Sequence, residues 1–409
     1  MADGIITTST IVPKSSIGLY IHIPFCKTKC PYCDFNTYQG IEGLMGPYLE
    51  ALTSELGLWG RVLARPTVTT IFFGGGTPSY LPDGHIGRIL AEAASAFDVG
   101  PDAEITIEAN PGDLDTRACH QLLSAGVNRL SIGVQSLDNG LLELLGRRHD
   151  ADQAVEAFHT ARDAGFANVN LDLMYGLPRQ TLTQWRDTVE RLVSLSPAHI
   201  SLYCLTLEEG TPLHHWVRQG KLPEPDPDLA ADMYQHARES LAQAGYQHYE
   251  ISNWSMPGFP ARHNLVYWLN RPYLGVGPGA HSHIGDYRFW DVNSPGDYML
   301  RVKKWEDSKP NPFGSFAGEE LDTVAPLADR EHIGLDTACA ETMFLGLRLL
   351  EGMDLDQASA QVGDDLQARY DSQIGELTEL GLLERQGSRL RLTEHAYLIA
   401  NQVFTRFVE

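Results

Sequence analysis

Three cysteines lie within eight residues near the start of the chain: Cys26, Cys30 and Cys33. They follow a β-rich run, GLYIHIP, at 18–24. Three thiolates on one short loop can bind three irons of a [4Fe–4S] cluster and leave the fourth iron without a protein ligand. The alternative is zinc, which takes four ligands in a structural site, and Asp34 or His22 offers the fourth. The spacing favours the cluster.

Glycines end the second β-rich run, in the sequence FFGGGTPS. Gly75 and Gly76 permit close approach of the backbone to a ligand, and Thr77 adds a hydroxyl. The alternative interpretation is a tight turn between a strand and a loop. The position of the run, after a strand predicted to neighbour the cysteine strand, favours a binding role.

Four polar side chains stand at or just after the ends of later β-rich runs: Glu108, Gln135, Arg147 and Asp172. Each alone is typical of a satisfied structural group. Together they indicate a site, because binding groups of βα-barrels gather at the C-terminal ends of the strands. A carboxylate there accepts hydrogen bonds from ribose hydroxyls, and an arginine pairs with a carboxylate.

Strands must alternate with helices to bring these residues to one place. The six strand candidates are 18–24, 70–75, 104–110, 128–134, 168–174 and 199–205. Helix-compatible segments separate them, which predicts βαβ units and a parallel sheet. Six units are too few for a closed eight-stranded barrel. The predicted fold class is therefore α/β, with a partial (β/α)6 TIM-like barrel.

The 409 residues are enough for two or three domains. The Pro- and Asp-rich run at 222–229 marks a connection after the sixth strand. Near the C-terminus, GLLERQGSRLRL predicts a small β-wing between helices. The predicted parts are a tail 1–15, the barrel core 16–245, a segment 246–305 continuing from the barrel, a loop or linker 306–336, and a helical, winged-helix-like region 337–409.

The chain carries 53 acidic and 31 basic side chains, a formal net charge of −22. This balance argues against non-specific nucleic-acid binding, which needs Lys and Arg to displace counterions. No apolar stretch is long enough for a transmembrane helix, and the N-terminus lacks a secretory pattern. We expect a cytoplasmic protein with reduced thiols, whose membrane contact is peripheral and made through other proteins. The remaining cysteines are predicted to be small core residues: Cys119, Cys204 and Cys339.

The cysteine loop after a first barrel strand resembles the signature of the radical S-adenosylmethionine (SAM) superfamily. The resemblance implies that the open iron binds the amino and carboxylate groups of SAM. It also implies that Tyr32 lies near the adenine and that the glycine loop contacts the methionyl group. The implied SAM-binding residues are Tyr20, Tyr32, Gly75, Gly76, Thr77, Glu108, Gln135, Arg147 and Asp172.

Longer stretches narrow the resemblance. YIHIPFC, RLSIGVQS, NVNLDLMYGLP and LGVGPGAHS together resemble the oxygen-independent coproporphyrinogen III oxidase group over nearly the whole chain. That group contains porphyrinogen-oxidising enzymes and HemW-type haem chaperones. Three features favour the chaperones: Phe35 stands where the oxidases carry a fourth cysteine, few residues precede the cysteine loop, and 263–268 reads HNLVYW, an HNxxYW motif.

The HNxxYW motif offers groups suited to haem. His263 can present a neutral imidazole to haem iron, and Tyr267 and Trp268 can pack on a porphyrin face. The alternative is a loop histidine with two core aromatics. Within the resemblance to the chaperones, we favour a haem site.

The resemblance implies a haem chaperone that binds haem and transfers it to haem-dependent, respiratory client proteins. A [4Fe–4S] cluster and a SAM site are retained, and electrons come from a donor such as a flavodoxin or ferredoxin. Because Phe35 replaces the fourth cysteine, we expect no coproporphyrinogen oxidase activity. The alternative function is oxidative decarboxylation of coproporphyrinogen III, and a third class is a radical SAM enzyme that modifies haem.

Overall fold

The computed structural model describes residues 16–313, 316 and 318–408. The predicted tail 1–15 lies outside the described residues. None of the helices in the described part of the chain is both long enough and apolar enough to cross a membrane.

Six parallel strands form the centre of the molecule and confirm the six predicted ones. They are β1 (Ile17–Ile23), β2 (Thr67–Gly75), β3 (Asp98–Ala109), β4 (Arg129–Gln135), β5 (Asn168–Tyr175) and β6 (His199–Cys204). Each strand pairs in parallel with the next, in the order of the sequence. Because the order ends in edge strands that do not pair with each other, the barrel is partial, as predicted.

Helices follow these strands, and the longer ones pack on their outer face. They are α1 (Met45–Val62), α2 (His85–Ala96), α3 (Thr116–Ala125), α4 (Asn139–Leu144), α5 (Ala151–Ala164), α6 (Leu182–Leu195), α7 (Pro212–Arg218) and α8 (Pro227–Gln243). The short helices α4 and α7 contribute to a separate small apolar cluster. Side-chain caps begin several of them; Asp150 and Gln153 form a capping box at α5, and Gly165 ends that helix in the left-handed region.

The alternation along each strand separates two kinds of surface. Residues that face the helices are apolar and belong to the main core, for example Ile107, Leu130 and Leu171. Their neighbours face the inside of the partial barrel and are largely polar, for example Arg129 and Asn170. Successive side chains of a strand point to opposite faces. The barrel interior is thus a polar surface.

Six further strands widen the central sheet on both sides. They are β7 (Gln247–Glu250), β8 (Asn253–Ser255), β9 (Tyr273–Val276), β10 (His281–Ile284), β11 (Tyr287–Asp291) and β12 (Leu327–His332). The sheet order is β12-β11-β10-β9-β1-β2-β3-β4-β5-β6-β8-β7, and β9 runs parallel to β1. Strand β1, which leads into the cysteine loop, is therefore paired on both sides.

The region 306–336, predicted as a loop or linker, contains structure. Helix α9 (Arg262–Trp268) precedes this region, α10 (Pro295–Asp307) ends at its start, and the short helix α11 (Gly318–Leu321) lies inside it. Strand β12 pairs antiparallel with β11 at the edge of the sheet, so the loop prediction is wrong over Leu327–His332. Its sequence, LADREH, is mostly exposed, so no apolar alternation announces the strand.

A second hydrophobic cluster builds the C-terminal domain. Its helices are α12 (Leu335–Gly346), α13 (Leu355–Val362), α14 (Leu366–Arg369), α15 (Asp371–Glu379) and α16 (Ala400–Thr405). A small sheet joins β13 (Met353–Asp354), β14 (Leu383–Gln386) and β15 (Arg389–Leu392). The β14–β15 hairpin confirms the predicted wing.

The C-terminal domain contacts the end of α9. Gln361 Nε2 donates to the carbonyls of Leu269 and Asn270, at 3.3 and 3.0 Å. The guanidinium of Arg348 lies over the Trp268 ring, 4.2 Å from its centroid. At the other end of α9, Glu104 on β3 accepts hydrogen bonds from the first two amides of the helix. Helix α9 is thus held by the barrel at one end and by the C-terminal domain at the other.

Candidate functional site

A cavity of about 460 Å³ opens inside the partial barrel, toward the C-terminal ends of its strands. It brings together eleven of the residues predicted from the sequence: Cys26, Cys30, Tyr32, Cys33, Gly75, Gly76, Thr77, Glu108, Gln135, Arg147 and Asp172. A larger cavity, of about 680 Å³, lies outside the barrel between α2 and α3 and contains none of them. The chemistry therefore concentrates in the smaller cavity.

The cysteine loop is closed by its own backbone and by Lys29. The Lys29 ammonium donates to the carbonyls of Phe35 and Thr37, at 3.0 and 3.1 Å. Cys26 is buried, whereas Cys30 and Cys33 are partly exposed. The three thiols therefore line one end of the cavity on a loop of fixed shape.

His22 is not available as a fourth zinc ligand. Its Nδ1 is 3.0 Å from the Tyr20 hydroxyl and its Nε2 is 2.9 Å from the Asn36 carbonyl. Burial lowers the pKa of His22 to about 4, so the ring is neutral. Tyr20 supports His22 and does not line the cavity. Its predicted contact with SAM is thus not apparent in the geometry.

The three thiols fit separate irons. Across the described ranges, no three Cys, His, Asp or Glu side chains are placed around one metal ion. Thiolates of a [4Fe–4S] cluster each bind a different iron and need not meet at one point. Burial raises the pKa of Cys26 and of Cys33, so deprotonation depends on the positive charge of a metal. The donor set therefore fits a cluster.

The glycines at the end of β2 allow the backbone to pack closely against β1 and the start of the cysteine loop. The Gly76 amide donates to the Ile23 carbonyl at 2.7 Å, and the Thr77 amide to the Phe25 carbonyl at 2.8 Å. A Cβ on Gly76 would lie 2.7 Å from both carbonyl oxygens. Gly75 has φ +102°, and a Cβ there would lie 2.3 Å from the His22 ring. The run therefore serves the turn, and it also lines the cavity.

Arg147 places a buried positive charge beside the cysteines. Its Nη1 lies 3.6 Å from Cys30 Sγ and 3.5 Å from the Tyr32 hydroxyl. Its Nη2 donates to the Gly133 carbonyl at 2.7 Å and to Asn110 Oδ1. No carboxylate in the described part of the chain pairs with it. Arg147 can therefore stabilise thiolates and pair with the carboxylate of a ligand.

Two carboxyl groups face the cavity from β3 and β5. Glu108 accepts a 3.2 Å hydrogen bond from the Gly75 amide. Asp172 accepts from Ser131 Oγ and Asn170 Nδ2, each at 2.8 Å. Burial and the charge of Asp172 raise the pKa of Glu108 to about 8, and burial also raises the pKa of Asp172. Hydroxyl groups of a ligand could donate further hydrogen bonds to these oxygens, since a carboxyl oxygen can accept more than one.

The HNxxYW histidine lies inside the protein, not on the cavity wall. His263 is 1% exposed. Its Nδ1 is 2.8 Å from Thr70 Oγ1 and its Nε2 is 2.9 Å from the Tyr267 hydroxyl. Trp268 packs against Arg348. With both ring nitrogens hydrogen-bonded, His263 is not free to bind iron in this conformation, so its role as haem ligand stays a prediction that requires both bonds to break.

Replacing His263 with alanine is expected to reduce the free energy of unfolding by more than it reduces the free energy of haem binding. The change leaves the Thr70 and Tyr267 hydroxyls without their partner and removes a buried ring, at a cost of about 2–4 kcal/mol. Urea denaturation measures the free energy of unfolding. His283→Ala, which removes a half-buried histidine from β10, is the control. Unchanged stability with tenfold weaker haem binding would instead identify His263 as a haem ligand.

The cavity is also lined by residues that the sequence motifs did not predict, among them Arg129, Asn264 and Cys204. Asn264 lies inside the HNxxYW motif, and it faces the cavity where its neighbours do not. Cys204 is exposed at the end of β6, so its predicted core role is wrong, whereas Cys119 and Cys339 are buried as predicted. Motif and strand position do not reveal which side chains are unpaired after folding.

Comparison with known proteins agrees with the resemblance found in the sequence. Residues 20–192 match the radical SAM superfamily, and residues 335–399 match the HemN C-terminal domain. The chain is 37% identical to the haem chaperone HemW of Mycobacterium tuberculosis over 395 residues, 96% of this chain and 95% of that protein. It is 34% identical to the haem chaperone HemW of Bacillus subtilis over 390 residues, 95% and 98% of the two chains.

A solved structure shares the fold. Coproporphyrinogen III oxidase (HemN) from Escherichia coli, a radical SAM enzyme, superposes with a TM-score of 0.80. The match covers 98% of this chain and 92% of the other, at 24% sequence identity. At that identity the likeness concerns the fold alone.

Proposed function

We propose a function from this premise: the chain belongs to the HemW family of haem chaperones, within the radical SAM superfamily. The protein binds haem and transfers it to haem-dependent proteins. The observation that carries the proposal is the 37% identity to a haem chaperone over 96% of the chain. The cavity supports it, because a cofactor site of the radical SAM type is retained.

The chain's own residues provide the cofactor site. Cys26, Cys30 and Cys33 hold a [4Fe–4S] cluster, which together with SAM supplies one-electron chemistry when both are bound. Arg147 neutralises charge beside the cysteines and binds the SAM carboxylate. Glu108 and Asp172 accept hydrogen bonds from the SAM hydroxyls, and the glycine loop lines the cavity beside Glu108.

Phe35 separates the proposed chaperone from an oxidase. Its ring is 64% exposed and lines the cavity, at the position where the oxidases carry a fourth cysteine. An apolar ring there offers surface to a porphyrin and no thiol to the chemistry. The protein is therefore proposed to lack coproporphyrinogen oxidase activity, with His263, Tyr267 and Trp268 contributing to the haem site only after rearrangement.

Partners follow from the same site. Lys27 and Lys29 are exposed beside the cysteines, in a chain whose net charge is −22. This local positive charge suits an acidic electron donor of the flavodoxin or ferredoxin class. The proposed recipients are haem-dependent proteins of the respiratory chain, met in the cytoplasm or at the membrane surface.

Two assays test the proposal on anaerobically reconstituted protein. Haem titration followed by absorbance should show saturable binding, and the bound haem should pass to a haem-free globin. With SAM, a reductant and coproporphyrinogen III, no carbon dioxide should be released. Carbon dioxide together with protoporphyrinogen would establish the oxidase instead. Absence of saturable haem binding would reject the chaperone.

A further inference from the structure

Arg129 is a buried cation without a partner. It is the first residue of β4, only 2% of its surface is exposed, and it lines the cavity. Within residues 16–313, 316 and 318–408, no hydrogen bond or ion pair reaches its guanidinium, and its Nε is fully buried. A buried charge is costly unless it is paired. The position therefore indicates a missing partner.

Other unpaired donors surround Arg129. Thr106 lies directly opposite on β3, and its buried hydroxyl has no hydrogen-bond partner in the described structure. Asn264 on α9 lines the same cavity, and its side-chain amide likewise makes no hydrogen bond to the described residues. A guanidinium, a hydroxyl and an amide together offer donors to one acceptor group. Arg129 and Asn264 line the cavity, and Thr106 lies buried beside Arg129 on the neighbouring strand.

The protein's own carboxylates do not fill this place. Glu108 and Asp172 lie close enough for the charge of Arg129 to lower their pKa values, although burial prevails in both. Their oxygens bond to Gly75, Ser131 and Asn170 instead.

The histidines nearest to Arg129 carry no charge. His199 is neutral, since burial and the charge of Arg129 lower its pKa well below the ordinary value. His263 is neutral for the same two reasons, with a pKa lowered to about 3. Tyr249 keeps its proton, because burial raises its pKa. Arg129 is thus a fixed cation among neutral or already bonded groups.

We propose that Arg129, with Asn264 in the same cavity lining, binds a carboxylate of the molecule that enters the cavity. A guanidinium presents parallel N–H groups that match a carboxylate. This inference rests on the proposed function, under which the carboxylate is a propionate of haem. Arg129 stands four residues before Gly133, about 13 Å deeper along β4 at 3.3 Å per residue. The Arg129 side chain lines the cavity, so the extended guanidinium arm and the propionate arm together must bridge this depth.

Haem and its dimethyl ester, in which both propionates are neutral, separate the possibilities. The wild-type protein should bind haem about 10- to 100-fold more tightly than the ester, the range of a buried charged hydrogen bond. Arg129→Gln should bind the two equally. Arg271→Gln is the matched control, because Arg271 is also buried, with an unpaired Nε, and lies outside the cavity lining. It should retain the full preference.

Each outcome has one meaning. If wild-type protein binds haem and the ester equally, the propionate site is rejected while the chaperone function stands. If it binds neither, the function itself fails. If 10 mM sodium propionate raises the melting temperature of wild type but not of Arg129→Gln, and the ester binds as well as haem, the ligand is a free carboxylic acid. If Arg129→Gln loses the SAM-induced change in the cluster spectrum, the carboxylate belongs to SAM.

Folding of the variant is checked independently. Arg129→Lys keeps the positive charge but loses the parallel N–H groups of the guanidinium, and it should retain a reduced preference for haem over the ester. Equal far-ultraviolet dichroism and equal iron content in all three variants would show that the fold is intact. A preference of wild-type size in Arg129→Gln would overturn the proposal.

Discussion

Replacing Cys33 with serine is expected to abolish the brown absorbance of an anaerobically reconstituted [4Fe–4S] cluster. Only three thiols line the cavity near one another on the loop, so the loss of one leaves two irons held by protein. A serine hydroxyl stays protonated near neutral pH and does not replace a thiolate ligand. Iron and acid-labile sulfide per chain should fall from four to near zero. Haem-binding measurements on the same sample would show whether the cluster supports that function.

Cys119→Ser is the matched control, because Cys119 is fully buried in α3 and outside the cavity. This variant should keep a full complement of iron and lose only stability. Stoichiometric zinc in the native protein, with Cys33→Ser binding less zinc, would instead support the zinc site. Full iron content in Cys33→Ser would remove this cysteine from the cluster.

The second large effect is expected at Glu55, a carboxyl group buried on α1. Its Oε2 accepts hydrogen bonds from the Gly277 amide at 2.9 Å and from the Tyr298 hydroxyl, and its Oε1 accepts from Trp59 at 3.2 Å. Glu55→Gln turns an amide donor toward these donors. The free energy of unfolding should fall by about 2–4 kcal/mol, since each unsatisfied buried donor costs 1–3 kcal/mol.

Asp291→Asn provides the contrast. Burial and the neighbouring Glu55 raise the pKa of Asp291 well above its ordinary value, so we expect Asp291 to keep its proton and to donate a hydrogen bond to Glu55. An asparagine amide replaces that donor, and the loss should stay below about 1 kcal/mol. Guanidinium denaturation measures both variants. An equal loss in the two would show that the proton is not held by Asp291.

The pair also gives a pH dependence with a definite sign. In the unfolded chain Asp291 releases its proton near its ordinary pKa, while the folded protein retains it. The folded state therefore binds more protons above that pH, and the stability of the wild type falls as the pH rises. Asp291→Asn should remove this part of the slope.

The main architecture is visible in the sequence because its signals are local. Apolar runs followed by polar residues mark β1 to β6, and the cysteine spacing marks the loop between β1 and α1. The polar edge strand β12 gives no such signal. It pairs with β11, which is separated from it in sequence by helices α10 and α11, so the pairing depends on the fold as a whole.

The site is predictable to the same extent. Eleven residues predicted from motif and strand position line one cavity. The direction of a side chain is not predictable in this way. Tyr20 turns to His22, and His263 turns to Thr70 and Tyr267, although both sequences read as ligand-binding motifs. The unpaired state of Arg129 depends on every group around it, and no spacing reveals it.

Helix α9 links two regions that are otherwise built around separate cores. Glu104 holds its first turn against the barrel, and Gln361 and Arg348 of the C-terminal domain hold its last. A displacement of the C-terminal domain that moved α9 would also move Asn264, which lines the cavity. A ligand that fixed Asn264 and a protein whose docking displaced that domain would share one free energy of coupling, and each would change the affinity of the other by the same factor. Binding of the cargo would then change the affinity for the recipient, and the reverse, without direct contact between the two.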